Sequence, residues 1–234
     1  MWPSLFWFVL FAILMALGSW QVHRLHWKEG LIAQRQAAIA GPSIPLPATL
    51  AAARDLEFHH VRLEGTFRNR AELYRHAIAA DGTAGFHVVT PFVLSSGRTI
   101  FVDRGFVPED RRDPATRAAG QLAGPVTVTG LLRLPEGPSS WFIPANEPKR
   151  NLWFSIDLPA MAAAAAVADP LPFYVDADAT PVPGGLPIGG QTYAKLPNDH
   201  LQYALTWYGL AALVPIYYVL FIRARLKERK RETA

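Results

Sequence analysis

A histidine, two aromatic residues and two alanines recur at helical spacing near the carboxyl end of the chain. At 100° per residue, His200, Tyr203, Ala204, Trp207 and Ala211 fall on one narrow stripe. A partly buried imidazole stays neutral, a neutral imidazole ligates haem iron, and aromatic planes beside small residues can form a wall for a flat apolar macrocycle. The stripe therefore indicates either a haem-type site or an ordinary interfacial helix, in which the aromatic residues form a membrane belt and the histidine is exposed.

A second helical stripe lies near the amino end. Trp20, Arg24, Trp27 and Leu31 share one face at helical spacing. Gly18, just before them, permits close approach of another helix. Arg24 is placed to pair with an acidic group at a membrane surface.

The remaining histidines give a weak metal signal. His59 and His60 are adjacent in a predicted strand, so they point to opposite faces and cannot both ligate one ion. His76 and His87 could join one of them across neighbouring strands, but a cluster of histidines without carboxylate spacing is poor evidence for a metal site.

No enzyme signature stands out. The chain has no cysteine and contains no GxSxG, HExxH, phosphate-binding loop or GxGxxG motif. The pair Asp103–Arg104 beside Gly105 is interpreted as a structural ion pair that closes a turn, rather than as reactive chemistry. We therefore predict that the protein is not an enzyme.

Two uncharged runs are each long enough to cross a bilayer. Residues 1–22 and 201–222 contain no Asp, Glu, Lys or Arg, and about 20 apolar residues span the hydrocarbon core as a helix. The alternative for the first run is a cleaved signal peptide, with 16–18 as a small-x-small site. No basic residue precedes the apolar core, which disfavours that alternative.

Charge predicts the orientation of the two spans. Six Lys or Arg residues lie in 223–234, and the positive-inside rule places this tail in the cytoplasm. Arg24, Lys28 and Arg35 after the first span argue the other way, but they are fewer and begin a long loop. We expect a first helix over 1–40, an extracytoplasmic domain over 41–190, a linker and second helix over 191–222, and a basic cytoplasmic tail over 223–234.

The middle region is predicted to be mainly β. Residues 54–199 hold 14 basic and 16 acidic residues, so no basic face is left for nucleic acid. Turn residues separate strand-like runs, and an Ala-rich helix is predicted over 158–168. The predicted fold class is two transmembrane helices, N- and C-terminal, flanking an antiparallel β sandwich or barrel-like domain with a small helix. The strand-like runs are 58–67, 72–78, 86–94, 99–107, 126–134, 152–157 and 173–176.

Four sequence blocks resemble the surfeit locus protein 1 family of cytochrome c oxidase assembly factors. They occur in the family's order from the first apolar run to the second. Phe106 departs from the pattern, because the family more often has Trp there, but it keeps an aromatic ring. The blocks are LGSWQVHR at 17–24, GFHVVTP at 85–91 continuing to VDRGFVP at 102–108, NEP at 146–148 with NLW at 151–153, and NDHLQYALTW at 198–207.

The resemblance implies a membrane-anchored assembly factor that aids insertion of haem a into the catalytic haem–copper subunit of the oxidase. It implies that His200 is the axial ligand of the haem iron. The candidate cofactor-binding residues are His200, Tyr203, Trp207, Arg24 and Trp20. Tyr203 and Trp207 are expected to flank the ring and Arg24 to neutralise a propionate.

The implied partners are the catalytic oxidase subunit, haem a synthase and the lipid bilayer, with no nucleic acid. The expected location is the bacterial cytoplasmic (inner) membrane, with a multi-pass chain, both termini cytoplasmic and the main domain periplasmic. The alternative is a scaffold that stabilises an oxidase subunit during assembly and binds no haem.

Overall fold

The computed structural model describes residues 2–135, 143–191 and 198–232. The chain divides into two compact units. One combines Met1–Gln34 with Lys195–Ala234, and the other is Arg35–Ala194.

The second unit contains one seven-stranded sheet. Its strand order is β1-β5-β7-β4-β3-β2-β6, with an additional pairing between β1 and β3. That pairing closes β1, β5, β7, β4 and β3 into a barrel, from which β2 and β6 extend. The strands are β1 (His60–Phe67), β2 (Leu73–Ile78), β3 (Ala84–Leu94), β4 (Thr99–Pro108), β5 (Val126–Arg133), β6 (Leu152–Trp153) and β7 (Pro170–Ala177).

The length of β3 allows the barrel to close. Its first half, from Ala84 to Val89, pairs with β2, whereas Phe92 to Leu94 pair with the end of β1. A side chain at Gly65 would collide with the backbone carbonyl of Val93. Glycine is therefore needed where β1 crosses onto β3, because the two backbones approach too closely for a Cβ.

The predicted fold class is confirmed, with the barrel realised rather than the sandwich. All seven predicted strand regions contain a strand, although β6 is limited to two residues. Five of the seven ladders are antiparallel, and the pairs β4–β7 and β2–β6 are parallel. Parallel neighbours need a crossover connection, and for β4 and β7 the chain between them supplies it, carrying β5, β6 and the small helix.

The small helix is shorter than predicted. It is α3 (Leu158–Ala164), opened by Asp157, whose side chain accepts from the backbone N–H of Ala160. A further helix, α2 (Leu50–Asp55), was not predicted; the Thr49 hydroxyl caps it.

Three apolar clusters lie among the described residues of this unit, the smallest of which contains Phe86 and Val88. One fills the barrel and includes Leu63, Phe92, Ile100, Val102 and Phe173. Another lies beneath α3 and centres on Trp153, Phe101 and Met161. Of the apolar residues in the predicted strand runs, Phe86, Val88, Ile100, Val102 and Trp153 are buried, whereas Val126, Val128 and Phe154 are only partly buried.

The first unit is built from two long helices, α4 (His200–Glu232) and the part of α1 (Trp2–Ala40) that precedes residue 35. Both are long enough and apolar enough to cross a membrane by length and composition. Helix α1 ends at Ala40, as predicted, directly before Gly41-Pro42.

Candidate functional site

The two long helices pack through stripes with heptad spacing. On α1 the residues 7, 10, 14, 17, 21, 24 and 28 follow this spacing and are buried or half-buried, as are 18, 22 and 25 beside them. On α4 the corresponding residues are 200, 204, 207, 211, 214, 218 and 221, with 208 and 222 beside them. Contacts run from Ser4 with Tyr218 at one end to Gln21 with His200 at the other, so the helices are antiparallel. Alternating steps of three and four residues keep one face of each helix against its partner.

Glycine allows the close approach predicted for α1. A Cβ built on Gly18 would lie 2.6 Å from Cε1 of Tyr208, so a larger residue would force this ring to move. The Tyr208 hydroxyl also lies 3.1 Å from the hydroxyl of Ser19. The expectation that Gly18 lets a second helix come near is confirmed.

His200 is the first residue of α4 and is half-buried. Its Nδ1 lies 2.7 Å from Oε1 of Gln21 on α1. Ala204 and Ala211 follow on the same stripe and are almost fully buried, at 2% and 1% exposed. Small residues therefore bring the helices together directly below the His200–Gln21 contact.

The aromatic residues of the predicted site divide into two groups. Trp207 packs against the apolar cluster that contains Leu14 and so fills part of the helix interface. Tyr203 and Trp20 stand outside the packed stripes and are 55% and 54% exposed. The structure places Trp207 against α1 and leaves Tyr203 and Trp20 with free ring faces.

Arg24 lies one helical turn beyond Gln21. Its guanidinium stacks on the ring of Trp27, with Cζ 4.5 Å from the ring centroid. Its Nε is buried and makes no hydrogen bond with any described residue. A buried N–H without a partner costs free energy comparable to a lost hydrogen bond, so this atom is suited to an acceptor from outside the described chain.

Asn198 belongs to a residue type favoured at helix N-caps, but it does not cap α4. The helix begins at His200, the Asp199 carbonyl accepts from the N–H of Tyr203, and Oδ1 of Asn198 is buried without a described partner.

Gln21 was not predicted as a site residue. Its signal was the seven-residue spacing of positions 7, 14, 21 and 28, which places it on the packed stripe.

In the barrel unit, Asp103 is 2% exposed and accepts from three sources. Arg75 Nη2 lies 2.8 Å from Oδ2, His87 Nδ1 lies 2.9 Å away, and the N–H of Gly105 bonds to Oδ1 at 3.0 Å. Burial raises the pKa of Asp103, but the charges and hydrogen bonds of His87 and Arg75 outweigh burial and hold that pKa well below its usual value. A cavity of about 460 Å³ opens beside this carboxylate.

The expected ion pair between Asp103 and Arg104 does not exist. Strand β4 continues through both residues to Pro108, and neighbouring side chains in a strand point to opposite faces. Arg104 instead donates to the Glu72 carboxylate at 3.3 Å and to the carbonyl of Gly120. Asp103 and Arg104 therefore each form a structural ion pair, but each pairs with a residue distant in sequence.

Glu72 is the centre of a buried polar network. It is 5% exposed and accepts from Arg104, Arg117, Gln121 and the hydroxyl of Tyr74. Burial, opposed by the Glu72 charge, lowers the pKa of Arg104 to about 10.

The same network shifts Tyr74. Burial, together with the Glu72 charge, raises the pKa of its hydroxyl to about 12.

The histidine cluster that the sequence indicated only weakly is not assembled. His87 pairs with Asp103, and the His76 ring lies 5.9 Å from that of Phe154. Within residues 2–135, 143–191 and 198–232, no group of three or more metal-ligating side chains could hold an ion.

Fold and site together define a β-barrel protein with a terminal pair of long apolar helices and a histidine at the end of that pair. The SURF1 family model matches residues 8–212. Surfeit locus protein 1 of Mus musculus is 42% identical over 235 residues, covering 93% of this chain and 76% of that protein. The human protein of the same name is 40% identical, covering 88% of this chain and 73% of its own length.

A bacterial relative is also similar. The SURF1-like protein of Rickettsia conorii is 30% identical over 223 residues, covering 92% of this chain and 89% of that protein. The chain belongs to the SURF1 family, the family of oxidase assembly factors that its sequence blocks resemble.

Proposed function

We propose that this chain is a membrane-anchored assembly factor for cytochrome c oxidase that binds haem a and aids its insertion into the catalytic subunit. Family membership supports the assembly role. The observation that carries haem binding is a half-buried imidazole at the end of an apolar helix pair, near a buried arginine N–H that lacks a partner.

The residues present suit a haem. His200 would supply an axial nitrogen to the iron, and Arg24 would supply a positive charge and a free N–H to a propionate. Trp20 and Tyr203 offer exposed ring faces to a flat apolar molecule. Trp207, which packs against the Leu14 cluster, would support the site from the helix interface. When bound, haem provides the iron centre that the oxidase subunit needs.

We further propose that α1 and α4 both cross the bacterial inner membrane, with both termini in the cytoplasm and the barrel domain in the periplasm. Their length and apolar composition support this, as do the six basic residues in 223–234. A reporter active only outside the cytoplasm should work when inserted at Gly137 and fail when fused after Ala234. The opposite pattern would overturn the orientation.

The test of haem binding is the spectrum of the full chain purified from cells that make haem a. The wild-type protein should carry a haem absorbance band, and His200→Ala should lose it while remaining inserted and folded. His26→Ala is the matched control, because His26 lies on α1 with its side chain exposed; it should keep the band. His200→Met should retain part of it, since a thioether also ligates haem iron.

The scaffold alternative predicts a different result. In that case the wild-type protein shows no haem band, and His200→Ala co-purifies with the catalytic oxidase subunit as well as wild type does. A full band in His200→Ala would instead disprove the ligand assignment, even if haem binds elsewhere on the chain. These outcomes separate haem handling from assembly activity without haem.

A further inference from the structure

We propose that Gln21 is a positioning residue that fixes the tautomer of His200, so that Nδ1 carries the proton and Nε2 is the nitrogen available to a metal. The inference rests on the proposed haem site for its purpose. Its geometric basis is independent of haem, because it concerns one hydrogen bond between α1 and α4.

With the oxygen of the Gln21 amide facing the ring, the contact has one chemically consistent direction. Oε1 of an amide accepts and cannot donate, and a neutral imidazole has one N–H and one lone pair. With Oε1 of Gln21 2.7 Å from Nδ1, the ring donates from Nδ1. Nε2 then carries the lone pair, and no described residue forms a hydrogen bond with it.

The helix packing holds the amide in reach of the ring. Gln21 lies on the packed stripe of α1, one turn beyond Gly18, whose missing side chain lets the helices touch. On α4, Ala204 is 2% exposed one turn after His200. Small residues on both helices therefore keep the backbones close where the Gln21 side chain spans them.

A neutral amide suits this role better than a carboxylate for a ligand that is to be released. Metal-ligating histidines usually donate their other N–H to a carboxylate, a carbonyl or water, and this partner raises ligand basicity. A carboxylate does so most strongly because it is charged. An amide oxygen also orients the ring but raises the basicity of the ligand nitrogen less. A less basic ligand favours a site from which haem can be released.

The deciding experiment needs no haem. Full-length protein labelled with ¹⁵N-histidine is prepared without haem in detergent micelles, and the His200 signals are assigned by their loss in His200→Ala. Nitrogen chemical shifts distinguish a protonated from an unprotonated ring nitrogen. We expect Nδ1 protonated and Nε2 bare in the wild-type protein.

Three variants extend the test. Gln21→Leu removes the acceptor and should give a mixture of tautomers, whereas Gln21→Glu restores an acceptor and should restore the wild-type pattern. Gln202→Leu is the matched control on α4, two residues from His200 with its side chain exposed, and should change nothing. A wild-type ring protonated at Nε2, or a Gln21→Leu spectrum identical to wild type, would overturn the inference.

The same variants report on the haem site. Gln21→Leu should weaken haem affinity about 10- to 100-fold, the usual effect of losing such a partner, while Gln21→Glu should bind haem and lower its reduction potential. If the wild-type protein binds no haem but shows the expected tautomer, the haem proposal fails and the positioning role stands. If haem binds and Gln21→Leu changes neither tautomer nor affinity, the positioning role fails alone.

Discussion

The barrel unit and the helix pair differ in whether their buried charged groups have partners within the protein. In the barrel unit, Glu72 accepts from two arginines, a glutamine and a tyrosine, and Asp103 accepts from an arginine, a histidine and a backbone N–H. In the helix pair, the buried Nε of Arg24 has no described acceptor. The charges of the barrel unit thus have protein partners that fix the fold, while the helix pair retains unused bonding capacity.

Buried polar atoms without a described hydrogen-bond partner also occur in the barrel unit, but they do not leave a charged side chain unpaired. Oγ1 of Thr90 and Nδ1 of His59 are buried without described partners, and neither is a fixed charge. Arg75 has an unbonded Nε, yet its Nη2 pairs with Asp103. Arg24 differs because this half-buried side chain forms no ion pair with any described carboxylate, and its buried Nε–H also lacks an acceptor.

Among the substitutions that test this comparison, the largest loss of stability is expected at Glu72. Glu72→Ala leaves Arg104 and Arg117 buried without their carboxylate and should lower the free energy of unfolding by about 5 kcal/mol. Urea unfolding of the full chain in detergent, followed by circular dichroism in the strand region, measures it. Glu64→Ala is the control, because Glu64 forms an exposed ion pair with Arg62; a loss there within about 0.5 kcal/mol is expected. Equal losses would show that the network is not structural.

Trp153→Ala should be next in size. The ring is fully buried beneath α3, and its Nε1–H donates to Asn151 at 3.0 Å. Losing the ring leaves a cavity and should cost about 4 kcal/mol by the same urea measurement. Ile78→Ala in the same unit is 62% exposed before substitution and should change stability little. A small loss for Trp153→Ala would show that the cluster under α3 is not part of the core.

Asp103→Asn should cost about 2 kcal/mol, because the amide keeps one acceptor oxygen but loses the charge that Arg75 pairs with. It should also change the acid dependence of stability. The pKa of Asp103 is lower in the folded protein than the unfolded value of about 3.9. Its stabilisation is therefore complete above about pH 5 and is lost as the pH falls through the unfolded and then the folded value.

Unfolding free energies measured from pH 7 down to pH 3 test this sign. Wild-type protein should lose more stability over this range than Asp103→Asn does. Parallel curves would contradict the assignment of the lowered pKa to Asp103.

The smallest effect is expected at the helix pair. Gly18→Val would push into the Tyr208 ring and should weaken helix association by about 1 kcal/mol. The chain has no cysteine, and the hydroxyls of Ser4 and Tyr218 lie 2.9 Å apart. Ser4→Cys with Tyr218→Cys can therefore be joined by a bifunctional maleimide, whose linker spans the length of the lost tyrosine side chain, and the yield of this cross-link is the readout. Gly209→Val is the control, since nothing lies within 4 Å of its Cβ position. Unchanged cross-linking in Gly18→Val would argue against tight packing at this glycine.

Local patterns made most of the fold predictable. Alternating apolar residues located the strand regions, and the two uncharged runs located α1 and α4. The parallel pairing of β4 with β7 was not predictable, because Phe101 and Tyr174 become neighbours only through the complete topology. The short helix α2 escaped notice because six residues carry too little periodicity to stand out.

The candidate site was predictable on one helix and not across two. Helical spacing grouped His200 with Ala204 and Trp207, but it also included Tyr203, which lies outside the packed stripe. The Gln21–His200 contact joins residues 179 positions apart, and no local rule connects them. The Asp103–Arg104 prediction failed because adjacency in a strand separates two side chains instead of pairing them.

The position of β7 sets the order in which the barrel can be completed. It fills the gap between β4 and β5, so both of those strands keep an unpaired edge until Pro170–Ala177 has left the ribosome and docked. Unpaired strand edges are templates for association with other chains. Closing non-local pairings of this kind is slow because the loop entropy is lost before the contacts form. A chain interrupted before residue 170 should thus aggregate instead of persisting as a partial domain, and chaperone dependence during synthesis should end only when β7 is available.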